Sequence, residues 1–415
     1  MGAKLLRAVY RLVVPGGLIL LVSALAMESA RSQGISAPFW HYYPYVIFGL
    51  GLLLSALFNC SRLFFALLIV AVSDRALVLL VPRLSSAGIH RTIFDAVALL
   101  LPLNLLALYF MRDRGIVSSR GRRRVAFILA EIVIVGLVVL VHPIQVRAAS
   151  LMHEEIIPKG YSEWSHLSQP ALLTFLLAGV VMLVYLLDRR RPVESGLFWA
   201  LVTAFIALNA GGATHLSSVY FASGGLILGI AVLETSYTMA FHDELTQLPS
   251  RRALNQALLK VGNSYTVAMM DVDHFKQFND TYGHETGDQV LQMIASRLAD
   301  VTGGGKAYRY GGEEFAVIFA NKSVDEAFPS LETLRKKIES TPFKVRGSER
   351  RERRKKAKNR EGPRPHAKKR VRVTVSIGAA SSDGDERPAD AVLQAADKAL
   401  YRAKSSGRNC TVVSD

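Results

Sequence analysis

Two glycines followed by two glutamates, Gly311, Gly312, Glu313 and Glu314, interrupt the alternating apolar residues of YRYGGEEFAVIF. The alternation predicts two strands joined by a hairpin turn. Glycines at such a tip reach φ > 0 without strain and carry no Cβ, so another molecule can approach the backbone closely. Gly311 and Gly312 then frame an opening large enough for a phosphate, with the two carboxylates beside it. Carboxylates next to a polyphosphate repel it unless cations lie between them. Mg²⁺ at a phosphoryl-transfer site is held by a few carboxylates together with substrate oxygens, which calls for a further acid from elsewhere. Asp271, at the end of the apolar strand TVAMM, is rigidly placed to supply it. Lys276, in the adjacent DHFKQFND, adds a cation in reach of phosphate oxygens, and the amides of a turn or helix start there suit an anion. Together these residues read as a metal-dependent nucleotide site.

The elements that must position them begin near residue 250. RRALNQALLKV has helical period, SYTVAMMDVD reads as a buried strand ending in acid, ETGDQVLQMIASRLADV as an amphipathic helix, and KAYRYGGEEFAVIFA as the hairpin. A helix over 323–340, a strand VRVTVSIGAA, a helix over 387–404 and a last strand NCTVV follow. Alternating strands and helices with one antiparallel hairpin predict an α+β domain with helices packed on a mixed sheet.

Residues 1–240 differ in kind, because apolar runs near membrane-spanning length dominate them. Eight such stretches are predicted to span: 9–27, 44–60, 63–82, 92–111, 124–141, 170–187, 196–212 and 218–239, the third interrupted by Asp74 and Arg75. With a cytoplasmic N-terminus, the inner segments hold 13 Lys and Arg and the outer loops five, in line with the positive-inside rule. An even number of spans returns the chain to the cytoplasm before residue 243. The first run follows Lys4, Arg7 and Arg11 without a clear cleavage site, so it reads as a retained helix. Asp74, Arg75, Asp95, Glu131 and Asn209 within spans are expected to make helix-to-helix hydrogen bonds. His142, His153, Glu154, Glu155, Tyr161, Trp164 and His166 in the outer segment 142–169 lack metal-site spacing and read as a solvated loop. Two cysteines, Cys60 and Cys410, exclude a disulfide framework and point to a reducing compartment for the soluble part.

Five blocks in order, DELTQLPSRR, DVDHFKQFNDTYGHETGD, RYGGEEF, VTVSIGAA and ADKALYRAKSSGRN, make residues 241–415 resemble the GGDEF diguanylate cyclases. The apolar runs give a multi-span α-helical membrane bundle (1–240), and the resemblance implies that an α+β, nucleotidyl cyclase-like GGDEF domain (241–415) with a mixed central sheet flanked by helices follows it. It implies condensation of two GTP into cyclic di-GMP, with two Mg²⁺ per site (Mn²⁺ as a substitute) and a catalytic homodimer. By the same resemblance Asp271, Glu313 and the Val272 carbonyl look like metal ligands, Glu313 like the activator of the ribose 3′-hydroxyl, and Glu314 like a helper in charge placement. Asn279 and Asp288 match positions that read guanine, Phe275 and Lys276 the phosphate-binding loop, and Lys404 and Arg408 the cations on the terminal phosphates. Arg309 lies where it can add charge near the signature. A multi-pass protein of a bacterial inner membrane with its catalytic domain in the cytoplasm follows. Only a few residues separate the last span from the first motif at Asp243, so a rearranging dimeric bundle is expected to set how the two GTP sites face each other. A silent nucleotide-binding receptor and a transporter carrying a regulatory cyclase are the alternatives.

Two features depart from the family. Where many of its cyclases carry an inhibitory Arg-x-x-Asp, this chain has Thr302, Gly303, Gly304 and Gly305, so no product inhibition is expected there. Residues 344–372 hold 15 Lys or Arg against three Glu, a net +12 of the chain's +16. The segment reads as an expanded hairpin loop that is either simply solvated or in contact with anionic lipid; nucleic acid is disfavoured because no aromatic residues interleave the charges.

Overall fold

The computed structural model describes residues 14–33, 37–80, 86–156, 164–189, 191–210, 215–344, 370–383 and 388–414, with residues 158, 160 and 162. The chain divides into two compact units, Met1–Tyr237 and Thr238–Asp415.

The first unit is helical: α1 (Gly16–Gln33), α2 (Ala37–Leu57), α3 (Ser61–Arg75), α4 (Ala87–Phe110), α5 (Ser119–Leu140), α6 (His142–Met152), α7 (Gln169–Arg189), α8 (Pro192–Asn209) and α9 (His215–Phe241). Each of the eight apolar stretches falls largely within a helix, but length and hydropathy set them apart. Among the described residues, four helices are long and apolar enough to cross a membrane: α4, α7 over Gln169–Leu187, α8, and α9 over Ser217–Phe241. The α5–α6 pair is bent by 104° and counts as a fifth only if taken together, while α1 and α2 contribute shorter apolar helices, Gly16–Ala26 and Tyr42–Leu57. α3 stops at Arg75 and continues as a π-helical turn, Ala76–Leu80. Residues 142–152, expected as loop, form α6, with Pro143 preset for the helix in its first turn.

Of the five polar residues in these stretches, Asp74, Arg75 and Glu131 bond to another helix. Asp74 accepts from Ser218 at 3.1 Å, and Glu131 accepts from Asn104 at 2.9 Å. His153 and Arg91 each stand 3.4 Å from the Asp95 carboxylate. Asn209 interacts with Ser165 at 2.6 Å. Tyr161 lies outside the described residues.

The second unit contains α10 (Arg251–Leu258), β1 (Ser264–Val272), α11 (Phe275–Tyr282), α12 (His284–Leu298), β2 (Lys306–Arg309), β3 (Glu314–Ala320), α13 (Val324–Ser340), β4 (Phe343–Lys344), β5 (Arg370–Val371), β6 (Val375–Asp383), α14 (Ala389–Ser405) and β7 (Thr411–Val413). The five-stranded sheet runs β2-β3-β1-β6-β7. Only the β6–β7 pair is parallel, which makes the sheet mixed. β1 is central and buried on both faces from Tyr265 on, and its middle, residues 267–270, is apolar without a break before Asp271. One apolar layer sets Leu291, Ile294 and Leu298 of α12 and Leu331 and Ile338 of α13 against Met270, Phe315 and Phe319. The other sets Val392, Ala396 and Leu400 of α14 against Val267, Met269 and Ala316. Gly378 of β6 allows that second packing, because a Cβ there would overlap the α14 backbone at Ala396, Ala399 and Leu400. The β4–β5 pair brings the two ends of the basic segment together; residues 345–369 themselves lie outside the described residues.

Candidate active site at the end of the central strand

The β2–β3 hairpin lays its tip against the end of β1. In register, Asp271 of β1 faces Glu314 of β3 on one side and Ser376 of β6 on the other. The Val272 amide donates to the Glu313 carbonyl at 3.3 Å, which ties the turn to the strand end. Within the turn, the Tyr310 and Gly311 amides both donate to the Glu314 carbonyl, at 2.9 and 3.1 Å. Neither Gly311 nor Gly312 has positive φ, so left-handed backbone is not what this turn requires. Gly311 is small because the Glu314 carboxylate folds over it, 2.8 Å from where a Cβ would sit, whereas a Cβ on Gly312 would meet nothing within 4 Å. The open approach expected of the pair is therefore at Gly312.

Asp271 is buried, and the Lys404 ammonium of α14 lies 2.8 Å from its Oδ2. Burial pushes the Asp271 carboxyl above its usual range, Lys404 and Arg408 pull it back, and Asp273 adds to the rise. Glu313 is likewise held high by burial and by the charges of Asp271 and Glu314, with Lys404 opposing. Two carboxylates with raised proton affinity, one of them raised in part by the other's charge, form an oxygen-donor pair that a hard divalent cation would relieve. Among the described residues no group of three or more His, Cys, Asp or Glu side chains could hold a metal by itself. The pair's hard oxygen donors fit a divalent cation that completes its shell with substrate oxygens and water.

Phe275 and Lys276 open α11 after His274, whose φ is +56°. The Phe275 side chain is buried, so only its amide can meet a phosphate, while Lys276 is exposed. Asn279 lies against Gly287, where a Cβ would overlap its Oδ1, and Asp288 follows on the exposed side of α12. Asn279 Oδ1 is buried with no hydrogen-bond partner among the described residues, a cost a donor from a bound base would remove.

Arg309 takes a different part from the one expected. Its Nη1 is 2.6 Å from Asp243 Oδ1, while Nε and Nη2 donate to the Gly311 and Gly312 carbonyls at 3.1 and 2.7 Å. The Thr246 amide and hydroxyl also donate to Asp243 Oδ1, at 2.8 and 2.7 Å. Burial raises the Asp243 carboxyl, but these donors outweigh it and hold the group below its usual range. Arg309 therefore clamps the glycine turn to the DELT segment.

Residues not singled out in the sequence fix the loop of Arg408. Gly407, Arg408 and Asn409 have φ of +105°, +66° and +48°. The Asn409 amide donates to Asp273 Oδ2 at 3.1 Å, and its side chain bonds Glu339 at 2.9 Å and Arg335 at 2.8 Å. Asp273, buried, also accepts from Ser376 at 2.6 Å and Thr374 at 2.7 Å. The DxD spacing after β1 and the Gly-Arg-Asn sequence were the available signals.

A family profile described as "Diguanylate cyclase, GGDEF domain" matches residues 240–357 and 349–410. Response regulator PleD of Caulobacter vibrioides is 34% identical over 188 residues, 43% of this chain and 37% of its own length. Diguanylate cyclase VdcA of Vibrio cholerae is 36% identical over 175 residues, 41% of this chain and 46% of its own. The chain thus spans less than half the length of these curated relatives. A crystal structure of the GGDEF domain of DgcB from Caulobacter crescentus in complex with c-di-GMP is similar at 32% identity and a TM-score of 0.36, covering 42% of this chain and 94% of that one. Through residues 240–410 the chain belongs to the GGDEF family.

Proposed function

We propose that the chain is a membrane-anchored diguanylate cyclase that joins two GTP into cyclic di-GMP and releases two pyrophosphates. The observation that carries this reading is the junction of Asp271 and Glu313 beside the open Gly312 turn, inside a domain of this family. Lys404 and Arg408 hold the terminal phosphates, and the amides at Phe275 and Lys276 face the remaining phosphate charge. Asn279 Oδ1 and the Asp288 carboxylate accept from guanine N–H groups. Mg²⁺, or Mn²⁺ in its place, held by Asp271, Glu313 and the Val272 carbonyl, supplies neutralisation of the triphosphate and a more acidic 3′-hydroxyl.

The Glu313 carboxylate, its proton affinity raised by its surroundings, accepts the proton of the ribose 3′-hydroxyl. That oxygen bonds to the α-phosphorus of the facing nucleotide, the bond from α-phosphorus to the bridging oxygen breaks, and pyrophosphate leaves with the electron pair. Repeating the step from the second nucleotide closes the ring. Because one domain presents one nucleotide, two copies face each other about a two-fold axis. Glu314 stays beside Asp271 and shapes the local charge.

Four helices of spanning length and apolarity, with the inner excess of Lys and Arg, support a multi-pass placement in a bacterial inner membrane with the domain in the cytoplasm. The 344–372 segment adds contact with anionic lipid at the surface. Deleting 347–369 from a 238–415 fragment should weaken its binding to anionic liposomes; unchanged binding rejects that contact.

Incubating the purified full chain with GTP and Mg²⁺ should yield cyclic di-GMP by mass spectrometry, and Glu313→Gln should not. No cyclic product, or equal product from the variant, refutes the enzymatic reading.

A further inference from the structure

The first unit contains a cavity of about 400 Å³ where α4 ends and α5 begins, and it has no part in the reaction above. Four guanidinium groups line it, Arg112, Arg120, Arg123 and Arg124, and the rest of its wall is largely apolar, with Phe65 and Phe127 prominent. The size lies within the range of about 300–1,000 Å³ usual for ligand pockets.

Arg124 is preset. Its Nη1 donates to Ser61 Oγ at 3.1 Å and its Nη2 to the Arg112 carbonyl at 3.0 Å, with the guanidinium 5.6 Å over the Phe65 ring. The acid nearby, Asp113, accepts from the Ser61 amide at 2.8 Å and bonds its hydroxyl too, and its one charge faces Arg124, short of balancing the four arginines. Arg62 turns away to Glu194 at 3.2 Å and to the Leu108 and Tyr109 carbonyls. Glu131, deeper on α5, accepts from Asn104 and does not line the cavity. No ion pair among the described residues uses Arg112, Arg120 or Arg123.

Arg120 repels Arg123 and Arg124 at i,i+3 and i,i+4 on one helix face. All three sit near the N-terminal end of α5, where the helix dipole disfavours cations. An anion between them would relieve both costs. The apolar remainder of the wall suits an anion that carries a hydrocarbon tail.

We infer that this cavity binds an anionic phospholipid, its phosphodiester among Arg112, Arg120, Arg123 and Arg124 and an acyl chain along Phe65 and Phe127. The inference rests on the membrane placement proposed above, which puts the arginines at the cytoplasmic leaflet where acidic lipids gather. It is independent of the cyclase chemistry.

The test uses the full chain purified in a neutral maltoside detergent, with lipid occupancy read by native mass spectrometry. Dioleoyl phosphatidylglycerol should bind saturably, and dioleoyl phosphatidylcholine should not. Arg120→Gln/Arg123→Gln should weaken phosphatidylglycerol binding about thirtyfold, the effect of two surface-strength basic contacts. Arg120→Lys/Arg123→Lys should recover most of it, which separates loss of charge from loss of fold. Arg122→Gln, on the same helix but outside the cavity, should bind as wild type does. Equal uptake of both lipids, an equal loss in Arg122→Gln, or equal saturation by soluble glycerol 3-phosphate would each overturn the inference. Failure of the membrane placement is read separately, as recovery of the undetergented chain in the soluble fraction after high-speed centrifugation.

Discussion

The Asp243–Arg309 pair links the start of the second unit to its glycine turn, and its strength can be worked from its surroundings. The side chains are 27% and 12% exposed, between the exposed pairs that contribute almost nothing and the buried ones whose disruption costs about 3–5 kcal/mol. Arg309→Leu removes the ion pair and two bonds to the Gly311 and Gly312 carbonyls, which water can partly replace because the turn is accessible. A destabilisation of about 2–3 kcal/mol follows. Asp243→Asn keeps a group near the two Thr246 donors and should cost about 1–2 kcal/mol. If the pair is direct, the double variant loses about 1–2 kcal/mol less than the sum. Urea unfolding of the 238–415 fragment, followed by circular dichroism, measures all four corners of the cycle. The sign of its pH dependence is set by Asp243: a carboxyl held low in the fold contributes stability above its unfolded value near pH 4, and that contribution is lost as pH falls through the depressed value. Released from its clamp, the turn that presents Glu313 shifts, so turnover in the full chain should fall at least about tenfold. Additivity within about 0.5 kcal/mol, or wild-type turnover in Arg309→Leu, refutes the clamp.

Other predictions follow from the same geometry. Glu313→Gln should lower turnover by about a hundredfold or more while raising the metal-free unfolding midpoint above the carboxylate range, because it removes a charge that Asp271 and Glu314 repel. Lys404→Met should move that midpoint the other way, by about 1–2 kcal/mol of lost pairing with Asp271, so shifts of the same sign in the two variants contradict the charge assignment. Asn279→Ala and Asp288→Ala should each raise the GTP KM by about tenfold and narrow the preference for GTP over ATP; an unchanged preference in competition assays removes them from base recognition. Initial rates should be unaffected by added cyclic di-GMP, since Thr302–Gly305 carries no charge, and inhibition there in steady-state kinetics would be the contrary result.

Legibility varied with the range of the interaction. β1 was plain because its buried middle, residues 267–270, is an unbroken apolar run, so the acid that follows stands out. The hairpin was plain because alternation and a glycine pair are local signals, and its register then set Asp271 against Glu314. The turn makes no use of the positive φ that two glycines permit; the missing Cβ instead leaves room for the Glu314 carboxylate at Gly311 and an open approach at Gly312. The contacts of Lys404 with Asp271 and of Asn409 with Asp273 join positions more than a hundred residues apart, and nothing local announces them. The spans show the same limit. Apolar composition located the helices, but residues 142–152 were misjudged because their helix is short and polar enough to resemble a loop.

The site's electrostatics explain why so much of the second unit serves one strand end. Asp271, Asp273 and Glu314 lie within three residues of it along β1 or directly across from it, with Glu313 at the adjoining turn. Asp273 accepts from Ser376, Thr374 and the Asn409 amide, and these bonds hold the Arg408 loop in a left-handed conformation of real cost. Asp271 and Glu313 receive no comparable set of donors, and what offsets their charge in the metal-free state is chiefly Lys404. On the function proposed above, Lys404 would partner carboxylates before substrate arrives and phosphates afterwards, keeping the strand end stable in both states. On the same proposal, a divalent ion between Asp271 and Glu313 would relieve their repulsion, so affinity for the ion would be built into the same pair that acts on the nucleotide.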